Sequence, residues 1–95
     1  MEDVLWYLFA SSRGGPTRAK IVRSLSNRPK NANELAEELG YDYTTIRHHL
    51  EILVDNNVLE TTGTGYGDIY LFTDMLETHW ETMERILETV QEENS

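Results

Sequence analysis

The stretch NELAEELGYDYTTIRHHLEIL, residues 33–53, decides the fold of this chain. Its apolar residues recur every three or four positions in two runs, which is the spacing of two amphipathic helices. Only about three residues separate the runs, and a connection of that length is typical of a helix-turn-helix. Gly40 stands at the end of the first run, where a left-handed residue is wanted. The apolar positions are Leu35, Ala36 and Leu39, then Ile46, Leu50, Leu53 and Val54.

Polar residues mark the ends of both helices. Asn31 followed by Glu34 has the spacing of a capping box, which predicts a helix over residues 32–39. Asp42 is placed to cap the next helix, and Asn56 with Asn57 ends it. Two short helices joined so tightly cross steeply, which leaves the outer face of the second one free to enter a major groove.

The flanking sequence supplies the remaining elements. Helical spacing of apolar residues over 3–11 predicts a first helix, and a second runs from Pro16 or Thr17 to about Asn27, before Pro29. Residues 58–62 and 68–72 are rich in β-branched and aromatic side chains and enclose a glycine-rich loop, which predicts a β-hairpin. A last amphipathic helix follows from Thr73 or Asp74.

The order of these elements predicts a mostly α fold with one small β-hairpin, a winged helix-turn-helix with an added long C-terminal helix. Ninety-five residues suffice for one domain and not for two. We expect residues 1–72 to form the winged-helix core, with its N-terminal helix, and residues 73–93 to form the C-terminal helix.

The charge of the chain is unevenly distributed. The formal net charge is −9, yet residues 1–57 carry only −1 while residues 58–95 carry −8. Six of the eight basic residues fall within residues 13–30, so the first half can approach a polyanion and the acidic half can face away. There is no cysteine, which excludes disulfides and thiolate metal sites, and no apolar run long enough to cross a bilayer. These features predict a cytoplasmic protein without a membrane partner.

Residues 33–40 followed by residues 43–50 resemble the winged-helix regulators of the ArsR family. The closer likeness is to archaeal members that begin with a Trp-Tyr pair and an Arg-Gly-Gly-Pro-x-Arg turn, here Trp6, Tyr7 and residues 13–18. The resemblance implies a homodimeric transcription regulator that binds double-stranded DNA, more often as a repressor. It also implies that the fourth helix reads the major groove, that the hairpin is the wing, and that the first and last helices form the dimer interface.

Transferred residue by residue, the resemblance assigns DNA contacts to the outer face of the fourth helix and to nearby basic residues. Arg47 suits a guanine edge, Glu51 can accept from cytosine, and the threonines suit phosphates or thymine methyls. The predicted contacts on the helix are Tyr43, Thr44, Thr45, Arg47, His48 and Glu51, with Tyr66 in the wing. The predicted phosphate contacts are Arg18 and Lys20, together with Arg23, Arg28 and Lys30. His49, beside Ile46, is expected to be a partly buried structural residue.

An apolar seam on the last helix, with part of the first, is the predicted dimer interface. Its residues are Leu5, Leu8, Leu76, Trp80, Met83, Leu87 and Val90. The wing tip carries no Lys or Arg, which departs from many wings. We find no nucleophile–base arrangement, phosphate loop or zinc spacing, so we expect no enzyme, no metal site and no cofactor. The alternative to a DNA-binding regulator is a winged helix that binds other proteins within a transcription assembly, with the acidic half as its docking face.

Overall fold

The computed structural model describes residues 1–63 and 68–93. Six helices and three short strands follow one another in these ranges. The helices are α1 (Glu2–Trp6), α2 (Gly15–Leu25), α3 (Ala32–Leu39), α4 (Tyr43–Asp55), α5 (Asp74–Thr78) and α6 (Trp80–Glu93), and a π-helical segment (Tyr7–Ser11) continues α1. The strands are β1 (Lys30–Asn31), β2 (Leu59–Thr61) and β3 (Ile69–Phe72). The predicted mostly α winged helix-turn-helix with a small β element is confirmed.

The helix-turn-helix forms as its caps dictate. The Asn31 side chain accepts from the Glu34 backbone N–H at 2.8 Å, and the Glu34 carboxylate accepts from the Asn31 N–H at 3.0 Å, which completes the capping box. Gly40 ends α3 with a φ of +77°, in the left-handed region that glycine adopts without strain. Asp42 occupies the N-cap of α4, although its side chain makes no capping hydrogen bond.

The sheet has three antiparallel strands in the order β1-β3-β2, one more than the hairpin that the sequence predicts. Lys30 pairs with Tyr70, and Leu59 pairs with Phe72. The wing hairpin of β2 and β3 is therefore joined along β3 to the chain just before α3. This pairing fixes the root of the wing against the helix-turn-helix.

The C-terminal segment is two helices where one continuous helix was predicted. Thr73 caps α5 by accepting from the Leu76 N–H at 3.1 Å, and α5 ends at His79. The Met83 N–H then donates to the His79 carbonyl, in the first turn of α6. The apolar spacing continues across this break, so periodicity alone did not predict it. One core unites all helices with strands β2 and β3, and Leu5, Phe9, Leu50, Leu76 and Met83 are fully buried in it.

Candidate nucleic-acid interface

Helix α4 divides into a buried face and an outward face. Its buried residues are Ile46, His49, Leu50 and Leu53. Of the predicted DNA contacts, Tyr43, Thr44, His48 and Glu51 are exposed, while Thr45 and Arg47 are half-buried. The structure thus brings all six to the surface along one helix, next to the turn that follows α3. A helix presented in this way is the element that enters a major groove in helix-turn-helix proteins.

Arg47 lies at the centre of this face and is held by its neighbours on the helix. Its Nη2 is 3.7 Å from Glu51 Oε1, one turn along, and its Nη1 is 3.5 Å from the Tyr43 hydroxyl. The hydrogen bond to Tyr43 raises the pKa of Arg47, so the guanidinium stays charged. Both interactions are weak because they are exposed to solvent. The guanidinium of Arg47 can therefore exchange them for a guanine edge or a phosphate.

A second polar cluster lies between α2 and the turn, and only one of its members, Lys20, was among the predicted contacts. Lys20 Nζ donates to the Tyr41 hydroxyl at 3.2 Å and sits 5.5 Å from the centre of the same ring. Thr17 Oγ1 donates to that hydroxyl at 3.5 Å. These hydrogen bonds, Thr17 first, lower the pKa of Tyr41. Thr17 and Lys20 are three residues apart on one helix, which was the available signal, but only the fold brings them to Tyr41.

Arg18, predicted to contact phosphate, is buried with only 5% of its surface exposed. Its Nε donates to the Leu8 carbonyl at 2.9 Å, and Nη1 lies 3.1 Å from His49 Nδ1. Its Nη2 donates to Ser12 Oγ. The prediction was wrong because it counted every cation as solvated, whereas Arg18 points inward and ties α2 to α4 and to the π-helical segment.

The glycines before Arg18 make room for this arrangement. A Cβ on Gly14 would lie 2.6 Å from Arg18 Nη1 and 2.7 Å from His49 Cε1. A Cβ on Gly15 would lie 2.3 Å from the Phe9 carbonyl oxygen. The Arg-Gly-Gly-Pro-x-Arg turn is therefore a packing motif. His49 is buried as expected, and burial, followed by the nearby Arg18 charge, lowers its pKa.

The remaining predicted phosphate contacts differ in their access to solvent. Lys30 is also buried, with its Nζ 3.0 Å from Glu38 Oε1 and donating to the Ser24 carbonyl at 2.8 Å, so its prediction was wrong as well. Arg28 is exposed but lies 3.0 Å from the Glu34 carboxylate. Arg23 is half-buried and donates to a backbone carbonyl of α6 at 2.7 Å. Lys20 is thus the one of these predicted contacts that is exposed and has no carboxylate partner among residues 1–63 and 68–91.

Residues 15–61 match the model of the family described as bacterial regulatory protein, arsR family. The chain contains an ArsR-like helix-turn-helix. The match begins with α2 and ends with β2, so it covers α3, the turn, α4 and the Lys20 cluster. None of the curated proteins compared with the chain matches it.

The ArsR likeness supports DNA binding in transcription regulation. It does not reach α1, β3, α5 or α6. Of these elements, α1, α5 and α6 carry six of the seven residues of the predicted dimer seam, and the seventh, Leu8, lies in the π-helical segment, which the match does not reach either. The likeness therefore covers the helix-turn-helix and does not extend to the surrounding helices.

The seam residues of this ArsR-like chain are mostly core residues. Five of the seven are at most 3% exposed, and they pack against the chain's own helices. These five are Leu5, Leu8, Leu76, Met83 and Val90. Trp80 and Leu87 are half-buried. The apolar spacing correctly indicated a buried stripe, but in this conformation the stripe covers the core of the same chain and leaves only these two side chains at the surface.

Exposed apolar side chains are concentrated at the N-terminal end of the described residues. Four of the six large hydrophobic residues that are exposed in the described ranges fall within residues 1–7, with Tyr7 at 62%. They are Met1, Val4, Trp6 and Tyr7. We call these four exposed residues the α1 patch.

Other predictions can be placed only in part. Tyr66 lies outside the described residues. Within residues 1–63 and 68–91, no three His, Asp or Glu side chains converge in a way that could hold a metal ion. No helix in the described part of the chain is long and apolar enough to span a membrane.

Proposed function

We propose that the chain binds double-stranded DNA sequence-specifically, as a homodimeric transcription regulator that represses by occupying a promoter. The observation that supports this best is the outward face of α4, where Arg47 lies among Thr44, Thr45 and His48. The opposite face is locked into the core by fully buried Ile46. A reading helix fixed in this way presents the same side chains to every site it meets.

The contacts follow from the chemistry of the side chains. Arg47 reads a guanine through its O6 and N7 acceptors, and Thr44 and Thr45 contact phosphate or a thymine methyl. Glu51 has two roles in this proposal: it holds Arg47 in the free protein, and it accepts from cytosine in the complex. Lys20, positioned by Tyr41, contacts phosphate and fixes the register. The likeness to archaeal members, carried by Trp6, Tyr7 and the turn that follows, agrees with this reading.

The α1 patch supports the dimer. Symmetric pairing through Met1, Val4, Trp6 and Tyr7 would cover apolar side chains that otherwise face water. In such a dimer the two reading helices have to stand about one DNA turn apart, roughly 34 Å, to meet a pseudo-palindromic site. This interface replaces the seam, because the buried seam residues have no surface to share.

The reading role of Arg47 is tested by Arg47→Ala, with Arg85→Ala as the matched control. Arg85 carries the same charge and is exposed on α6, away from α4. We expect Arg47→Ala to lose about 1–3 kcal/mol of preference for the selected site over a scrambled site. Arg85→Ala should retain the preference. Binding is measured by fluorescence anisotropy on a duplex obtained by binding-site selection, and equal preference in both variants would contradict the assignment.

The dimer is tested by light scattering on Tyr7→Glu, which places a charge in the α1 patch on a residue that the fold does not bury. We expect Tyr7→Glu to be a folded monomer, whereas wild type is a dimer. Met83→Glu is the comparison: Met83 is fully buried, so its substitution should unfold the chain and not merely separate two copies. A Tyr7→Glu variant that remains dimeric would remove the α1 patch from the interface.

A protein-binding winged helix is the second candidate, and the charge distribution favours it. Residues 58–95 carry a net charge of −8, and two of the cations in the first half are buried. If the chain shows no salt-dependent binding to duplex DNA in the anisotropy assay, the acidic half becomes the better candidate for the functional surface.

A further inference from the structure

An open cleft lies where the C-terminal end of α2, strand β3 and the α5–α6 junction meet. It encloses about 640 Å³ and is lined by Ser26, Phe72, Glu77 and Trp80. A second hollow of about 480 Å³ shares Ser26, Phe72 and Glu77 with it and extends along β3 toward Pro29. Volumes of this order accommodate small organic molecules. This surface is on a different part of the chain from the α4 reading face.

Two aromatic rings form the apolar wall of the cleft. The ring centres of Phe72 and Trp80 are 5.2 Å apart, with an angle of 31° between the planes. Both side chains are only half-buried, so part of each ring faces the cleft. Trp80 reaches this position because the C-terminal segment breaks at His79 and α6 begins anew with Trp80. The negative faces of such rings attract cations.

Carboxylates line both hollows. Glu77 lines both hollows, and Glu60 and Asp74 line the second. In the described part of the chain, none of these three carboxylates has a hydrogen-bond or ion-pair partner. Arg28 also lines the second hollow, but its guanidinium is 3.0 Å from the carboxylate of Glu34. The net charge that a ligand meets in the cleft is therefore negative.

We infer that this cleft, the Phe72–Trp80 cleft, binds a small organic cation that has an apolar or aromatic body. The ammonium group lies against the two rings with the Glu77 carboxylate beside it, and the apolar body extends along β3. A neutral molecule of the same size would keep the stacking and lose the ionic contribution. An anionic molecule would be repelled. The inference does not depend on DNA binding, because neither the reading face nor Lys20 takes part.

Benzyltrimethylammonium is a suitable probe, since it combines a quaternary ammonium with one aromatic ring, and benzoate is its anionic counterpart. The measurement is a titration of the ¹⁵N-labelled full chain followed by ¹H–¹⁵N correlation spectra. The two indole N–H signals, from Trp6 and Trp80, report two separate surfaces. We expect benzyltrimethylammonium to shift the Trp80 signal in a saturable manner while the Trp6 signal stays in place. Benzoate should leave the Trp80 signal unmoved at the same concentrations.

Two variants separate the charge from the rings. Glu77→Gln retains the shape of the side chain, and we expect it to bind the probe about three- to tenfold more weakly. Glu88→Gln is the matched control, because Glu88 is an exposed carboxylate of α6 that lines neither hollow, and it should bind as wild type does. Trp80→Leu retains an apolar side chain and should lose saturable binding as seen at Glu77 and Phe72 amides.

Three results would each overturn the inference. They are a Trp80 shift that does not saturate, an equal response to benzoate, and equal weakening by Glu77→Gln and Glu88→Gln. The last result would mean that only the overall charge of the chain matters. Since the titration contains no DNA, each of these outcomes is distinguishable from a failure of the proposed DNA binding.

Discussion

Arg18 and Lys20 stand two residues apart on α2 and have opposite roles, which makes them an informative pair for mutation. Arg18 is 5% exposed and hydrogen-bonded inside the fold, whereas Lys20 is exposed beside the reading face. The same substitution, to Met, removes one positive charge from each position and keeps an unbranched apolar stem. We expect Arg18→Met to destabilise the fold without changing the number of phosphate contacts. We expect Lys20→Met to remove a phosphate contact without changing the stability of the fold.

The magnitude of the Arg18 effect follows from its hydrogen bonds. Arg18→Met removes the donors to the Leu8 carbonyl, to His49 Nδ1 and to Ser12 Oγ, and hydrogen bonds from a charged donor contribute about 1.5–3 kcal/mol each. Ser12 Oγ still donates to the Leu8 carbonyl at 3.1 Å, and the buried guanidinium no longer has to be desolvated. Both effects reduce the loss, so we expect a decrease of about 2–4 kcal/mol in the free energy of unfolding. For a domain of this size, 3 kcal/mol lowers the Tm by about 12–24 °C.

The magnitude of the Lys20 effect is expressed in the salt dependence of DNA binding. Each phosphate contact contributes about −0.9 to the slope of log K against log salt concentration, so a dimer that loses Lys20 twice should have a slope shallower by about 1.8. Thermal unfolding followed by circular dichroism gives the Tm of each variant. Anisotropy at several KCl concentrations, on one duplex, gives the slopes. If Arg18→Met kept the wild-type Tm and reduced the slope, the burial of Arg18 and the reasoning built on it would be refuted.

Two further predictions concern the packing around α4. Burial lowers the pKa of His49 below its ordinary 6.5, so the unfolded chain binds more protons as the pH falls below about 6.5 and the fold loses stability there. His49→Asn retains an acceptor and should reduce this loss of stability at acid pH, as measured by urea unfolding at several pH values. The exposed His48→Asn should not reduce it. The same loss of stability at acid pH in both variants would contradict the assignment. Gly15→Ala should destabilise by more than about 2 kcal/mol, because its Cβ meets backbone atoms of Phe9. Gly40→Ala meets nothing within 4 Å and should cost only about 1–2 kcal/mol, from its positive φ, and a larger loss at Gly40 would show that space is not the limiting factor at Gly15.

Local signals predicted the helix-turn-helix well because its ends are encoded by adjacent residues. The capping box of Asn31 and Glu34 and the left-handed Gly40 each act within one turn of helix, and they placed α3 at its observed bounds. Strand β1 was missed for the opposite reason. Two residues are too few to show the alternation of a strand. Strand β1 exists only because Lys30 pairs with Tyr70, forty residues later in the sequence.

The candidate site was predictable on α4 and much less so around it. Helical spacing identifies the outward residues of a helix whose inner face is apolar, and all six predicted residues of α4 lie at the surface. A charge count cannot distinguish an exposed lysine such as Lys20 from a buried arginine such as Arg18, since that depends on neighbours from distant segments. The apolar seam failed in the same way: spacing shows that Met83 is buried, but not whether its cover comes from its own chain or from a second copy.

The buried and outward faces of α4 also differ in how far their residues can be substituted without destabilising the fold. His49 and Ile46 are buried in the core and hold the helix in place. Thr44, Arg47 and His48 face outward, and within residues 1–63 and 68–91 no hydrogen bond or ion pair joins their side chains to another helix or strand. Substitutions on the outward face are therefore expected to have little effect on stability, and many different outward surfaces are compatible with the same domain. A family built on this helix can acquire new binding sites by changing a few surface residues, without first finding a new way to fold.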